Sequence, residues 1–288
     1  MTKIDSVRAM QEYIESHLSE KITWVDLAKV SLYSPWYSYR LFQDHLNMTP
    51  SDYIRRCRLS QSAQMLRGSS MKIIDVAYLA GYDSVDGYQR AFHKEFGTNP
   101  YEYAKNPIPI GLFTPFKIYE KKEKTEVKEV KNVFISVLEK PKRKVIVKRG
   151  QKATDYWGYC EEVGCDVWGV LVSMIQKGEE PVSMWLPNKY IKEGTSLYVQ
   201  GVEVGIHDKV IIPEGFDVME HSATTYLKFQ GEPFREEDYC EAIDEVQEAI
   251  ERFQPTTMGY EWNHGEPRIQ LEPIGERGYI ELVPVLKK

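Results

Sequence analysis

Arg40 and Gln43 on one amphipathic stretch, and Gln89 and Arg90 on another, are side chains of types that read base edges. A guanidinium can hold guanine through two parallel hydrogen bonds, a carboxamide can do the same for adenine, and an aromatic can pack on a thymine methyl. Trp36 and Tyr39 supply aromatics beside Arg40. Spacing decides which side chains share a face. In residues 34–45, Tyr37, Leu41 and Phe42 fall on one side of a helical wheel and leave Trp36, Tyr39, Arg40 and Gln43 on the other. In 84–96, Tyr88, Ala91, Phe92 and Phe96 turn inward, while Asp86, Gln89 and Arg90 turn outward. The plainer reading of a single such arginine is a solvated face or an ion pair with a neighbouring acid. Trp36 alone could be a hydrophobic staple, and Asp86 a cap or an acceptor from cytosine. Equivalent arginines in two copies of one unit favour contact with DNA.

Those copies are plain. Arg40-Leu41-Phe42, Leu46, Thr49-Pro50 and Tyr53 recur as Arg90-Ala91-Phe92, Phe96, Asn99-Pro100 and Tyr103. Upstream, Leu27-Ala28 with Ser34 is echoed by Val76-Ala77 with Ser84. A fixed-period repeat marks a supersecondary unit used more than once. The unit reads as a short helix, a tight turn and a second amphipathic helix, the outline of a helix-turn-helix. Thr23 with Asp26 forms a capping box for a helix through Val30. Ser31-Leu32-Tyr33 is the turn, and Ser34-Pro35 opens the next helix with a capping hydroxyl and a first-turn proline. Thr49-Pro50 starts a connecting helix to about Arg67, and Gly68-Ser69-Ser70 ends it. A helix over 71–80 follows, then Gly81 as a left-handed turn residue, then Ser84 and a helix to Phe96.

A chain of 288 residues, 42% hydrophobic, suits two folded domains. The net charge of −6 is unevenly spread: residues 1–106 carry 13 Lys and Arg against 12 Asp and Glu, the remainder 24 against 31. Arg55, Arg56, Arg58, Arg67, Arg90 and Lys94 cluster on or beside the candidate DNA helices, so a local patch can hold phosphates on an acidic chain. No apolar run reaches the roughly 18 residues needed to span a bilayer, and the start lacks the layout of a signal peptide. The four cysteines, Cys57, Cys160, Cys165 and Cys240, lack a zinc spacing and read as reduced thiols. A cytoplasmic protein is expected, with no membrane contact, no metal and no cofactor.

From Asn106 the texture changes. Pro107, Pro109 and Pro115 stop a continuing helix. Strand patterns follow at 132–138, 144–148, 182–186, 197–204, 223–229, 267–271 and 279–285, interrupted by helices at 155–176 and 237–253. The second helix carries Tyr239, Ile243, Val246, Ile250 and Phe253 on one stripe. Residues 145–150 lead into the first helix as 226–231 lead into the second. The expected fold is multidomain: an all-α N-terminal domain with two helix-turn-helix motifs (1–106), a linker (107–125), and an α+β C-terminal domain (126–288). The last is expected to consist of two pseudo-symmetric strand-helix-strand-strand halves.

Residues 1–105 resemble the DNA-binding domain of the AraC/XylS family of transcriptional regulators, on Gly81-Tyr82-Asp83-Ser84, Tyr88-Gln89-Arg90-Ala91-Phe92 and Phe96-Gly97-Thr98-Asn99-Pro100. The resemblance implies two helix-turn-helix units joined by a helix, lying in successive major-groove segments on one face of double-stranded DNA. Ser34, Trp36, Tyr39, Arg40, Gln43, Ser84, Asp86, Gln89 and Arg90 would face the duplex, and RNA polymerase would be a further partner. Val85, Asp86 and Gly87 replace the polar residues often found in that family, which leaves the second helix more to hold backbone than to read bases.

Residues 127–288 look like a gyrase-inhibitor-like effector-binding domain. The matching stretches are 199–204, Ile212-Pro213 with Glu214-Gly215, Gly231-Glu232-Pro233, and 280–285. This implies a cup for a small hydrophobic, often cationic effector, with aromatic walls and a buried acid. Trp168, Trp185, Tyr226 and Trp262 are candidate walls; the plainer reading places such aromatics in the core. Gln270 stands at the expected acid position, so Glu272 or Glu203 would substitute, or the ligand is not cationic. His207, His221 and His264 are scattered, and neither a nucleophile motif nor a phosphate loop is present, so an enzyme is not expected. The rival readings are a drug-sequestering protein and, further off, a small-molecule hydrolase.

Overall fold

The computed structural model describes residues 2–68, 70–116, 132–175 and 179–288. The chain divides into two compact units, Met1–Glu123 and Lys124–Lys288.

The first unit is helical: α1 (Lys3–Ser16), α2 (Trp24–Ser31), α3 (Pro35–Leu46), α4 (Pro50–Gly68), α5 (Ile73–Leu79), α6 (Val85–Phe96) and α7 (Pro100–Lys105). The helix starts follow the sequence signals. Thr23 and Asp26 make the expected reciprocal capping box. Ser34 accepts from the Tyr37 N–H ahead of Pro35, and Ser84 accepts from the Gly87 N–H. The two turns are built differently. Leu32 takes the left-handed conformation between α2 and α3 (φ 62°), and Gly81 takes it between α5 and α6 (φ 73°). Buried hydroxyls of Ser31 and Ser38, 2.6 Å apart, join α2 to α3.

α4 is the spine, touching α3, α5, α6 and α7. On one side Val7, Met10, Ile14, Leu27, Leu41, Phe42, Tyr53 and Cys57 form a core. Further along the spine Leu59, Ala63, Val76, Ala77, Tyr88 and Phe92 are fully buried, and the Tyr88 hydroxyl donates to Ser62 Oγ (3.1 Å).

The start of the expected linker departs from expectation. Ile110 and Leu112 are buried. Phe113 packs edge-on against Tyr53 at 5.3 Å and donates its N–H to Ser60 Oγ at 2.7 Å. Gln11 Nε2 donates to the Phe116 carbonyl (2.8 Å). Prolines stop the helix here, but the apolar Ile110, Leu112 and Phe113 still have surface to bury, so the segment runs back over the bundle. The remainder of the expected linker, 117–125, lies outside the described residues.

The second unit contains α8 (Tyr156–Val163), α9 (Asp166–Val172), α10 (Tyr239–Arg252) and one antiparallel sheet. Its strands are β1 (Val133–Lys140), β2 (Arg143–Arg149), β3 (Val182–Trp185), β4 (Tyr198–Gly205), β5 (Asp217–His221), β6 (Thr224–Gly231), β7 (Tyr260–Trp262), β8 (Arg268–Gln270) and β9 (Ile280–Lys287). They are ordered β1-β6-β9-β8-β3-β4-β2-β5, with β7 also on β9. α8 and α9 pack on β4, and α10 packs on β6 and β1.

The single helix expected over 155–176 is two helices, because Gly164 turns out of the helical region at φ 90°. β5 and β7 were not expected. β7 has only three residues, and β5 alternates Asp217, Met219 and His221 inward, which hides its apolar period.

Strand alternation sorts the residues onto two faces. The helix-bearing face carries Ile146 and Val202 against Leu171, Tyr198 and Trp185 against Tyr159, and Leu227 and Phe229 against Val246. Val145, Val147, Met184, Val199, Tyr226, Ile269 and Leu282 form the core of the opposite face. His221 is wholly buried, 5.0 Å from the Tyr190 ring, with both ring nitrogens unpartnered. Burial, together with Arg143 and Lys189, outweighs Glu203 and Glu266 and pushes its pKa down to about 4.

Two outcomes follow from these local constraints. A Cβ on Gly81 would stand 2.7 Å from Arg58 Cζ in a left-handed backbone, so Gly81→Ala should cost the first unit about 1–2 kcal/mol, measured by urea unfolding. His221 is neutral in the fold but titrates near 6.5 when unfolded. Protons therefore favour the unfolded chain as pH falls from about 6.5 to 4, removing up to about 3 kcal/mol. His221→Phe should flatten the pH dependence of unfolding across that window.

Candidate functional site

On α3 the face opposite Leu41 and Phe42 is open. Trp36 is 68% exposed, Arg40 and Gln43 are exposed, and Tyr39 is half-buried, edge-on to Trp24 at 5.3 Å. The Arg40 guanidinium lies 5.5 Å from the Trp36 ring centroid and 3.7 Å from the Asp44 carboxylate. Exposed contacts of this kind contribute up to about 1 kcal/mol, so they orient Arg40 without consuming it. On α6, Arg90 and Asp86 are exposed and Gln89 is half-buried, with His93 and Lys94 exposed beyond them. Asp86 sits in the first turn, where a negative charge suits the helix N-terminus but repels phosphate. The Ser34 and Ser84 hydroxyls are occupied as helix caps.

The basic cluster is smaller than the sequence implies. Arg55 Nη1 and Arg56 Nε donate to the two oxygens of Glu95 at 2.7 and 2.8 Å, and Glu95 is only 12% exposed. Burial raises the Glu95 pKa, but the hydrogen bonds and charges of the two arginines outweigh it and hold the carboxyl below its usual range. Arg58 donates to the carbonyls of Leu18 (2.8 Å) and Glu20. Three of the six expected phosphate contacts therefore serve the fold: Arg58 ties α4 to the segment after α1, and the Glu95 pair locks α6 to α4. Glu95 escaped the sequence reading because its partners lie about forty positions away, with no local spacing to reveal them.

In the second unit the seven expected effector residues do not gather into one cup. Glu203 pairs with Lys140 and Arg143, and Arg143 Nη2 donates to the Tyr226 hydroxyl (3.1 Å); this network belongs to the face without helices. Trp168 packs in the Ile146–Leu171–Val202 core, and Trp262 lies 6.4 Å from both Phe229 and Phe253. Glu272 is exposed just after β8.

Trp185 and Gln270 do come together, through Tyr198. The two rings are 5.2 Å apart, and the Tyr198 hydroxyl donates to Gln270 Oε1 (3.0 Å). Strand register extends this group. Trp185 faces Arg268, Ser183 faces Gln270, and Gln270 faces Glu281. Glu281 is wholly buried, accepting from the Tyr279 hydroxyl (2.6 Å) and from Gln247 Nε2 of α10 (3.1 Å), and pairing with Arg268. Burial first, and then Glu281, push the Tyr279 phenol well up. The sequence reading missed Glu281, although one acid inside the apolar strand Ile280-Glu281-Leu282-Val283 was a signal.

Two helix-turn-helix units on one shared helix, each displaying polar and cationic side chains from its second helix, define a bipartite DNA-binding domain. A family model described as a helix-turn-helix domain matches residues 27–106. The chain is 34% identical over 97 residues to the regulatory protein SoxS of Salmonella typhimurium, covering 34% of this chain and 91% of that one. It is 31% identical over 122 residues to the right origin-binding protein of Escherichia coli K12, covering 42% of each chain. The chain belongs to the AraC/XylS family of transcriptional regulators. It therefore spans about two fifths of the length of the right origin-binding protein. The crystal structure of the AdpA DNA-binding domain in complex with a target DNA is 22% identical, covers 35% of this chain and 91% of that one, and superposes with a TM-score of 0.34.

Glu95→Ala should free α6 from α4 and lower the stability of the first unit by about 1–3 kcal/mol, read as an earlier urea midpoint. Arg40→Ala should change the unfolding free energy by under about 0.5 kcal/mol.

Proposed function

We propose that the protein is a transcription regulator that holds double-stranded DNA with α3 and α6 and senses a small molecule with its second unit. The observation that carries the DNA half is that Trp36, Arg40 and Gln43 stand exposed on α3 at places equivalent to those of Asp86, Arg90 and His93 on α6, while both helices bury their apolar faces. Ser34, Tyr39, Ser84 and Gln89 complete the two surfaces. A monomer would occupy two consecutive major-groove segments about 34 Å apart, so its site is asymmetric. Asp86 beside Arg90 makes the second helix the weaker reader. RNA polymerase is the partner through which a bound regulator would act on a promoter.

The effector half rests on the group Trp185, Tyr198, Gln270 and Glu281. Reading across the sheet, β6-β9-β8 is followed by β3-β4-β2, the same order of first, third and second strand run backwards. This supports two pseudo-symmetric strand-helix-strand-strand halves meeting at the β8–β3 seam. With α8 and α9 over β4 and α10 over β6, the aromatic and acidic group lies between the two helical layers. An effector there would act through its difference in affinity for two states of the protein. Glu203 and Tyr226 are assigned to the core network with Arg143, and Trp168 and Trp262 to hydrophobic packing.

Footprinting on the region upstream of its own gene would supply a cognate duplex. On it, Arg40→Ala should weaken binding about 5- to 150-fold, the equivalent of 1–3 kcal/mol, with a much smaller loss on random DNA. Arg90→Ala should show a smaller difference between the two. Equal losses on both duplexes would reduce Arg40 to a phosphate contact.

A further inference from the structure

We propose that Arg268 is a built-in occupant of the effector site, an internal cation standing where a cationic ligand would bind, so that such a ligand must displace it. This rests on the reading of the Trp185–Glu281 group as the effector site.

A cation in a partly dry site is held by two things, a buried carboxylate and an aromatic face. Both are present, and both are taken. The Arg268 guanidinium lies 5.1 Å from the Trp185 ring centroid and pairs with Glu281 Oε2 through Nε and Nη2. The sheet dictates this placement. Register sets Arg268 directly opposite Trp185 on β3, and Gln270, two residues on, opposite Glu281 on β9, so the guanidinium reaches Glu281 on the diagonal. The other carboxylate oxygen, Oε1, is already satisfied by Tyr279 and Gln247.

Exposure separates the members of this group. Glu281 is wholly buried, whereas the Arg268 side chain is 32% exposed. A ligand approaching from solvent meets the guanidinium before the carboxylate. A monocation that merely adds to the site would sit beside a like charge; one that replaces Arg268 inherits both the ring and the acid. An uncharged aromatic compound meets no like charge and makes no claim on the carboxylate. Arg268 thus sets a threshold against cations and a preference for uncharged ligands, and its release would also loosen the carboxylate that holds α10 through Gln247.

The test uses the full chain and two probes, tetraphenylphosphonium and uncharged triphenylphosphine oxide, titrated by calorimetry. Arg268→Met keeps the aliphatic stem and removes the charge. It should bind the phosphonium at least tenfold more tightly than the unmodified protein does, while the oxide changes less than twofold. Adding Glu281→Gln to Arg268→Met should abolish that gain. An equal gain for both probes would mean that only space was created, and no gain would mean that Arg268 is not an occupant; either result overturns the proposal. If no variant and not the unmodified protein binds either probe, the effector-site reading itself falls, and this proposal with it. Thermal melting checks folding. Should Arg268→Met fail to fold, Arg268→Lys, which keeps a charge but loses the planar stack, should gain about threefold for the phosphonium alone; no gain there overturns the proposal equally.

Discussion

The first unit depends on how two amphipathic helices are held to a third. α3 and α6 each present a polar face to solvent only because the opposite face is buried against α4 and its neighbours, with Leu41 and Phe42 on one side and Tyr88 and Phe92 on the other. Apolar burial is strong, at roughly 25 cal/mol per Å², but it has no direction. The bond from Glu95 to Arg55 and Arg56 supplies one. Two guanidiniums from α4, each holding a different oxygen of one carboxylate, restrict its rotation, so charge and hydrogen bonding as well as packing constrain the angle at which α6 leaves α4. No such clamp joins α3 to α4 among the contacts described; there the hydroxyl pair of Ser31 and Ser38 and the Phe42–Tyr53 ring contact hold the helix.

That clamp changes the meaning of the positive charge. A count of arginines along α4 points to a phosphate-binding surface, yet Arg55, Arg56 and Arg58 spend their donors inside the protein. On α3 and α6 the exposed Lys and Arg side chains are a sparse set, Arg40, Arg90 and Lys94. A sparse cationic face on a protein of net negative charge keeps electrostatic attraction to a duplex modest.

In the second unit the governing constraint is strand parity. Adjacent residues on a strand point to opposite faces, so Glu203 and Gln270 were never candidates for one pocket once their strands were placed. Glu203 shares a face with Arg143 and Tyr226, and Gln270 shares the other with Trp185 and Tyr198. The acid that joins Gln270 comes from the next strand, at the register position directly opposite.

By itself the sequence determined what lies close along the chain. The capping hydroxyls of Thr23, Ser34 and Ser84, the proline behind Ser34, the repeated Arg-x-Phe and the turn at Gly81 are local, and local hydrogen bonds and backbone preferences settle them. The stripe on α10 and most strands were legible for the same reason. Tertiary structure alone decided the rest. It set whether an arginine meets an acid forty residues away, and whether residues 107–116 leave the helical unit or pack on it. It also decided which of two acids shares a face with Trp185. Those outcomes depend on strand order and helix packing, which bring distant residues together, and no spacing along the chain encodes them.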